Sequence, residues 1–226
     1  MHIKVSYTDA KSKSKNENLL GFAVATFDNS IHVKDIAVFK SGNGISLAMP
    51  NYETGKTTNS GYPERKDYFY PITKEARDNL TDLVAAAMES PDSYIYQNDK
   101  KRAGFTITTH QFIREENNLA GFVNVKLGKE YAFDCPIRIN KNGNLMVSYP
   151  GKSYQKDGKT GFEKFVTPTK EKEGLVTATI IKEFKANQVK IEKKLYRLIW
   201  PLICKNIGNS LKSSALAVDF KLFYVM

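Results

Sequence analysis

Residues 149–165 of this chain, YPGKSYQKDGKTGFEKF, interleave lysines with aromatic side chains. Lysines that neutralise phosphates, beside aromatic rings that stack on bases, are typical of sites for single-stranded nucleic acid. The alternative is a solvated loop whose aromatic rings pack on their own sheet. We take as candidate contacts the four lysines and one aromatic residue of this segment: Lys152, Lys156, Lys159, Lys164 and Tyr154.

A second basic segment, QVKIEKKLYRLIWPLICKNIG, lies at residues 188–208. Its apolar residues recur at helical spacing and its cations gather on the other side, which predicts an amphipathic helix that Pro201 kinks or ends. Such a helix binds nucleic acid, a membrane surface or a partner protein, or packs on the preceding domain with its charges solvated. Lys190, Lys194 and Arg197 are therefore further candidate contacts for nucleic acid.

Other kinds of site lack the residues they need. Gly-Lys-Thr occurs at 55–57 and 158–160, but Pro50 and Ser153 stand where a phosphate-binding loop requires its first glycine. The three histidines are far apart in sequence, and no cysteine pair has the spacing of a zinc site. Neither Cys135 nor Cys204 lies in a motif that specifies a nucleophile. We therefore expect no enzyme, no metal and no cofactor.

The net charge of +10 is concentrated in the second half of the chain. Residues 1–100 hold 12 Lys/Arg and 13 Asp/Glu, whereas residues 101–226 hold 22 and 11. Such an asymmetric charge suggests a polyanionic partner, most often nucleic acid. Two cysteines indicate reduced thiols, and neither a secretion signal nor an apolar run of about 20 residues is present. We expect a cytoplasmic protein that does not contact membranes.

The chain resembles itself at an offset of about 100 residues. NLLGFAVATF at 18–27 aligns with NLAGFVNVKL at 118–127, and NGISLAMP at 43–50 aligns with GNLMVSYP at 143–150. FYPITKEA at 69–76 then matches VTPTKEKE at 166–173, at an offset of 97. A period of this length indicates a duplicated domain rather than a solenoid, whose repeats are roughly 20–50 residues long.

Each copy has the pattern of several strands followed by one helix. Ile3, Val5 and Tyr7 alternate with polar residues as in a half-buried strand, and FDNSI at 27–31 predicts a tight turn between two strands. Thr73 and Thr169 are the expected helix N-caps. The apolar stripes assigned to the core are Ala76, Leu80, Leu83, Val84 and Ala87 in the first copy, and Val176, Ile180, Ile181 and Phe184 in the second.

The first copy resembles the SpoVG family. HVKDIAVF at 32–39, GISLAMP at 44–50 and PITKEARDNL at 71–80 match the family's pattern in order and spacing. The resemblance covers nearly all of residues 1–90 and reaches residues 101–185 mainly through the internal repeat. Nothing in the family accounts for residues 186–226.

This resemblance implies a small antiparallel sheet with a C-terminal helix, dimerisation through the sheets, and regulatory binding of DNA and RNA without catalysis. Family members contact nucleic acid mainly through a basic loop that typically begins Ser-Lys-Arg-Thr. The first copy has Asn51, Tyr52, Glu53 and Thr54 there, so its paired cations are missing. The second copy begins Gly-Lys-Ser-Tyr at 151–154 and keeps a basic character. We therefore expect nucleic-acid binding mainly in the second copy.

The sequence predicts an α+β protein: two tandem copies of an antiparallel sheet with a C-terminal helix, packed as an intrachain pseudo-dimer, followed by a helical extension. The predicted segments are a domain at 1–95, a linker at 96–102, a diverged domain at 103–186 and a basic amphipathic extension at 187–226. We expect a monomer with this internal pseudo-dimer, or a homodimer. The expected function is regulatory DNA or RNA binding. The alternative is an antagonist or adaptor that blocks a nucleic-acid-processing complex, as inhibitors of host defence carried by mobile elements do.

Overall fold

The structure is a computed structural model, and it describes residues 1–10, 16–42, 44–90, 95–98, 105–114 and 118–187. Residues Met1–Phe184 form one compact unit that contains the strands of both predicted copies. Residues Lys185–Met226 form a second unit, which is described only at 185–187. The predicted extension at 187–226 thus lies almost wholly outside the described residues.

The described part of residues 1–90 forms seven strands and one helix. The alternating apolar residues of the first strand place Ile3, Val5 and Tyr7 in the core, as the period of two predicts. The elements are β1 (His2–Asp9), β2 (Leu19–Phe27), β3 (Ile31–Ser41), β4 (Gly44–Ala48), β5 (Asn51–Thr57), β6 (Pro63–Asp67), β7 (Phe69–Pro71) and α1 (Lys74–Glu89).

The second half repeats this order after one additional strand. The additional strand comes first, and a helix over residues 173–187, here α2, ends the described part. The strands are β8 (Ile95–Asn98), β9 (Phe105–Arg114), β10 (Leu119–Leu127), β11 (Tyr131–Ile139), β12 (Leu145–Val147), β13 (Gly151–Lys156), β14 (Lys159–Lys164) and β15 (Val166–Pro168).

The two copies exchange one short strand each. The first sheet has the order β15-β3-β2-β1-β8 and the second the order β12-β11-β10-β9, while β4 and β7 add to β3 and β11. Thus β7 of the first copy pairs Phe69 with Phe133, and β15 of the second copy pairs Val166 with Val33. The two exchanges relate the copies by an approximate two-fold arrangement. The predicted intrachain pseudo-dimer is confirmed, and the two similar sheets are consistent with a tandem duplication.

Aromatic side chains from both copies form the centre of the core. Phe27 and Phe69 of the first copy lie 4.9 Å apart between ring centroids, and Tyr131 of the second lies 4.7 Å from Phe27. The Tyr131 hydroxyl donates a hydrogen bond of 2.7 Å to the carbonyl of Ala76, so its polar end is satisfied. Burial raises the pKa of Tyr131 well above its ordinary value. The shared core joins the copies into one folding unit.

The helices use their predicted apolar faces. Ala76, Leu80, Val84 and Ala87 are buried on α1, whose N-cap Thr73 accepts a hydrogen bond of 3.1 Å from the Ala76 amide, as predicted. On α2 the buried residues are Val176, Ile180 and Phe184.

The prediction that Thr169 caps the second helix is wrong. The helix begins at 173, and the Thr169 hydroxyl donates to the carbonyl of Asn29 instead. This hydrogen bond connects the end of the exchanged strand β15 to the turn before β3.

Residues at the start of the predicted linker belong to the sheet. β8 pairs with β1, with Ile95 opposite Val5, so 95–98 add an edge strand to the first sheet. The division into domains at 1–95 and 103–186 stays a prediction. In the part of the chain that the structure describes, no helix has the length and hydropathy to cross a membrane.

Candidate nucleic-acid interface

The predicted basic loop is a β-hairpin, here called the basic hairpin (residues 151–164, β13 and β14). Its turn residues Asp157 and Gly158 have φ of 51° and 73°. Positive φ at both central positions is the geometry of a two-residue hairpin turn, and Asp-Gly is among the sequences that favour it. The prediction of a loop is wrong, because Asp157-Gly158 forms a tight turn between two paired strands. The two strands fix the direction of each candidate side chain.

The hairpin divides the candidate residues between two faces. Cross-strand partners share a face in an antiparallel pair, and alternate residues of one strand do so as well. Lys152 pairs with Glu163, Tyr154 with Gly161, and Lys156 with Lys159, which places these register positions on one face. Lys164 pairs with Gly151 and therefore belongs to the other face. The register thus divides the predicted cluster between two faces, although Lys164 still lines one shallow groove with Tyr154 and Glu163.

Tyr154 lies flat over a glycine. A Cβ at Gly161 would lie 2.6 Å from the Tyr154 hydroxyl oxygen, so any other residue there would displace the ring. Tyr154 still exposes 45% of its surface. A ring that is packed on one side and exposed on the other is suited to stacking on a base.

An ion pair between the copies modifies the charge of this face. Lys34 on β3 of the first copy pairs with Glu163, with Nζ 2.9 Å from Oε1. Both side chains remain more than a third exposed, so the pair contributes only about 0.2–1 kcal/mol to stability. Its larger effect is electrostatic, because it neutralises the carboxylate that lies between the hairpin lysines.

Two lysines of the hairpin also lie against buried aromatic rings. The ammonium of Lys152 is 5.3 Å from the ring centroid of Phe165, and that of Lys164 is 5.9 Å from the centroid of Tyr149. These contacts orient both side chains while Lys152 and Lys164 stay exposed. Tyr149 donates to or accepts from Thr177 at 2.8 Å, and burial raises its pKa to about 12.

His32 lies beside Lys34 and lines a shallow groove with Tyr154 and Glu163. Its Nδ1 is 3.1 Å from the hydroxyl of Thr26. Burial lowers the pKa of His32, and the positive charge of Lys34 lowers it further. The imidazole is therefore neutral at pH 7 and adds no charge to the face.

The corresponding hairpin of the first copy has a different surface. This neutral hairpin (residues 51–67, β5 and β6) carries three cations and three carboxylates, whereas the basic hairpin carries four lysines and two carboxylates. Arg65 pairs with Glu53 at 3.0 Å, and the hydroxyl of Thr54 donates to Glu64 at 2.5 Å. Tyr52 stands where the second copy has Lys152. The two hairpins thus share a backbone but differ in charge.

A cleft of about 660 Å³ lies over the outer face of the second sheet, between the two hairpins. Tyr52 and Tyr68 form part of its wall, with ring centroids 4.9 Å apart. The other aromatic side chains that line it are Phe122, Tyr149 and Phe162, and its charged residues are Asp67, Asp134, Arg138 and Lys164. Sequence reasoning missed this cleft because its residues come from both copies and share no local pattern. Lys34 was missed for the same reason.

The other predicted contacts cannot be placed. Lys190, Lys194 and Arg197 lie outside the described residues. For Lys156 only the backbone pairing with Lys159 is described. The interface that the structure describes therefore consists of Lys152, Tyr154 and Lys159 on one face, with Lys164 on the other.

Comparison with known proteins places a family match on the first copy. The SpoVG family model matches residues 2–90. Over 70 residues the chain is 36% identical to a protein of Borreliella afzelii that is named as a septation protein SpoVG. This match covers 31% of this chain and 66% of the relative. The chain is 30% identical over 82 residues to the SpoVG protein of Archaeoglobus fulgidus, covering 36% of this chain and 88% of the relative. It is 34% identical over 79 residues to the SpoVG protein of Caldicellulosiruptor bescii, covering 34% of this chain and 83% of the relative.

The chain spans just under two thirds of the length of the Borreliella relative. No solved structure gives a significant match to the chain. The family model matches the segment in which the three sequence motifs occur. The chain belongs to the SpoVG family.

Proposed function

We propose that this SpoVG-family protein is a regulatory protein that binds DNA or RNA without catalysis, mainly through the basic hairpin. The observation that carries the proposal is the placement of Tyr154 between Lys152 and Lys159 on one exposed face. Cations that contact phosphates beside a ring that stacks on a base supply affinity with little sequence preference. Single strands are favoured because their bases are free to stack on Tyr154.

The charge distribution around the hairpin supports the proposal. Lys34 neutralises Glu163, the one carboxylate among the cross-strand partners on that face, so the lysines there act on phosphates without a competing negative charge. The turn residue Asp157 lies at the far end of the hairpin. The neutral hairpin offers no such excess, so we expect one strand of nucleic acid per chain rather than two.

Fluorescence anisotropy with labelled single- and double-stranded DNA and RNA over a salt series tests the proposal. The test variant changes Lys152, Lys156, Lys159 and Lys164 to glutamate, and the control variant changes the three cations of the neutral hairpin, Lys56, Arg65 and Lys66, to glutamate. We expect micromolar or tighter binding that weakens with salt, is lost in the test variant and largely persists in the control. Absence of binding at low salt would contradict the proposal and favour a protein partner instead.

A further inference from the structure

We propose that the cleft between the two hairpins holds one unpaired base of the bound strand and prefers bases that carry an exocyclic amino group. This inference rests on the proposed function and adds a specificity to it. The cleft shares Phe162 and Lys164 with the shallow groove that Tyr154 lines, so one strand can contact both.

The size and lining of the cleft suit a flat aromatic ligand. Its volume of about 660 Å³ lies within the roughly 300–1,000 Å³ that is typical of small-ligand sites. Tyr52 on one hairpin and Phe162 on the other remain 42% and 56% exposed, and Met146 on the floor is 46% exposed. Large apolar side chains that stay exposed around one cleft are unfavourable in water unless a ligand covers them.

The charges of the cleft are separated along its length. Asp134 and Arg138 both lie on β11, four residues apart, which is about 13 Å along a strand. Because β7 pairs Phe69 with Phe133, Asp67 lies at the Asp134 end. Lys164 extends from the basic hairpin over the ring of Tyr149. The cleft therefore has an acidic end, while Arg138 supplies positive charge about 13 Å from Asp134 along the strand.

The acidic end is prepared to accept hydrogen bonds. Asn124 donates to Asp134 Oδ1 at 2.8 Å, and the same amide nitrogen lies 2.8 Å from the Tyr70 hydroxyl, which holds the Asp134 carboxylate in one orientation. Burial raises the pKa of the Asp67 carboxyl, and the positive charge of Arg77 opposes that rise. A partly desolvated carboxylate gains more from a hydrogen-bond donor than one that is fully hydrated.

This arrangement distinguishes between bases by their donors. Carboxylates only accept hydrogen bonds, and cytosine and adenine each present an exocyclic amino donor. Thymine and uracil have carbonyl oxygens at the equivalent positions, which a carboxylate repels, and these oxygens flank their one ring N–H donor. Arg138 and Lys164 can meanwhile contact the phosphate of the same nucleotide. The preference thus follows from where the two signs of charge lie.

Homopolymeric DNA 12-mers of cytosine, adenine and thymine, measured by anisotropy at pH 7.5 and low salt, test the inference. We expect the wild-type protein to bind the cytosine and adenine oligomers about 5- to 150-fold more tightly than the thymine oligomer, the range of one good base contact. Asp67→Asn keeps the shape of the side chain but adds a donor, so the ratio should fall towards one. Asp78→Asn, an exposed change on α1 with the same loss of charge, should leave the ratio unchanged.

The outcomes separate the two proposals. Equal binding of all three oligomers by the wild-type protein overturns the base preference and leaves the proposed function standing. A preference that persists in both Asp67→Asn and Asp134→Asn, in variants whose melting temperatures match the wild type, overturns the assignment to this cleft. Failure to bind any oligomer overturns the proposed function and this inference with it.

Discussion

Substitution of Gly161 by valine tests whether the position of the Tyr154 ring determines binding. A Cβ at position 161 would lie 2.6 Å from the Tyr154 hydroxyl oxygen, whereas favourable contacts begin near about 3.5 Å. The ring must therefore move by roughly 1 Å or turn away from the strand. Valine is a good strand residue, so the hairpin itself should persist.

The expected loss of affinity follows from the value of one stacked base. Base–aromatic stacking contributes about 1–3 kcal/mol per base, so the loss of one stacked base should raise Kd by roughly 5- to 150-fold. Tyr154→Ala should give a loss of the same order. Because both changes remove the same contact, the double variant should bind about as well as either single one.

Anisotropy with a single-stranded 12-mer measures the Kd, and thermal unfolding reports whether the fold is kept. Thr160→Val is the matched control, since it places valine on the same strand but on the opposite face. Thr160→Val should bind like the wild type. If Gly161→Val also binds like the wild type, the ring does not act as a stacking surface and this explanation of binding is refuted.

Three further predictions concern charge, packing and pH. Changing the four lysines of the basic hairpin to glutamine should reduce the salt slope of log K by about 3 for single strands. The same change at the three cations of the neutral hairpin should alter the slope by less than about 1, and equal effects in a salt titration would contradict the charge assignment. Phe69→Ala should lower the free energy of unfolding in urea by about 3–5 kcal/mol, since the ring is buried between both copies. Ile72→Ala, at a side chain 42% exposed, should cost less than about 1 kcal/mol, and a similar loss in both variants would argue against a shared core. Burial raises the pKa of folded Tyr149 to about 12, above its ordinary value of 10.0, so the unfolded chain ionises first and stability falls as pH rises from 10 to 12. Tyr149→Phe should remove about 2 kcal/mol of this fall, and an unchanged pH profile would show that the burial of Tyr149 has no such effect.

The elements of the fold were predictable where one local pattern determines them. The period of two in Ile3, Val5 and Tyr7 identified β1, and the cap at Thr73 located the start of α1 within one residue. The internal repeat revealed two copies, and the resemblance to a family that dimerises through its sheets predicted that they pair within one chain. These features depend on burial of one face of a strand or helix, and the apolar residues of that face recur at a regular spacing in the sequence.

Features that depend on contact between the copies were not predictable in this way. The exchange of β7 and β15 places Glu163 beside Lys34, 129 residues away, and no local pattern announces that pair. The local sequence at Thr169 permits a helix cap, but in the structure its hydroxyl donates to the carbonyl of Asn29, next to the exchanged strand. The basic hairpin is different, because its sequence does contain a turn signal. Asp157-Gly158 is a pair that favours a two-residue hairpin turn, and the residues on either side of it pair as two strands.

Ultraviolet crosslinking of a single-stranded oligonucleotide to the full chain, followed by peptide mapping, tests the central claim most directly. The two hairpins have equivalent places in the two copies, so each serves as the internal control for the other. The account predicts crosslinks at Tyr154 and its neighbours within residues 151–164, and few or none within residues 51–67 other than at Tyr52, which lines the cleft. Crosslinks that fall equally on both hairpins, or mainly on residues 53–66 of the neutral one, would contradict it.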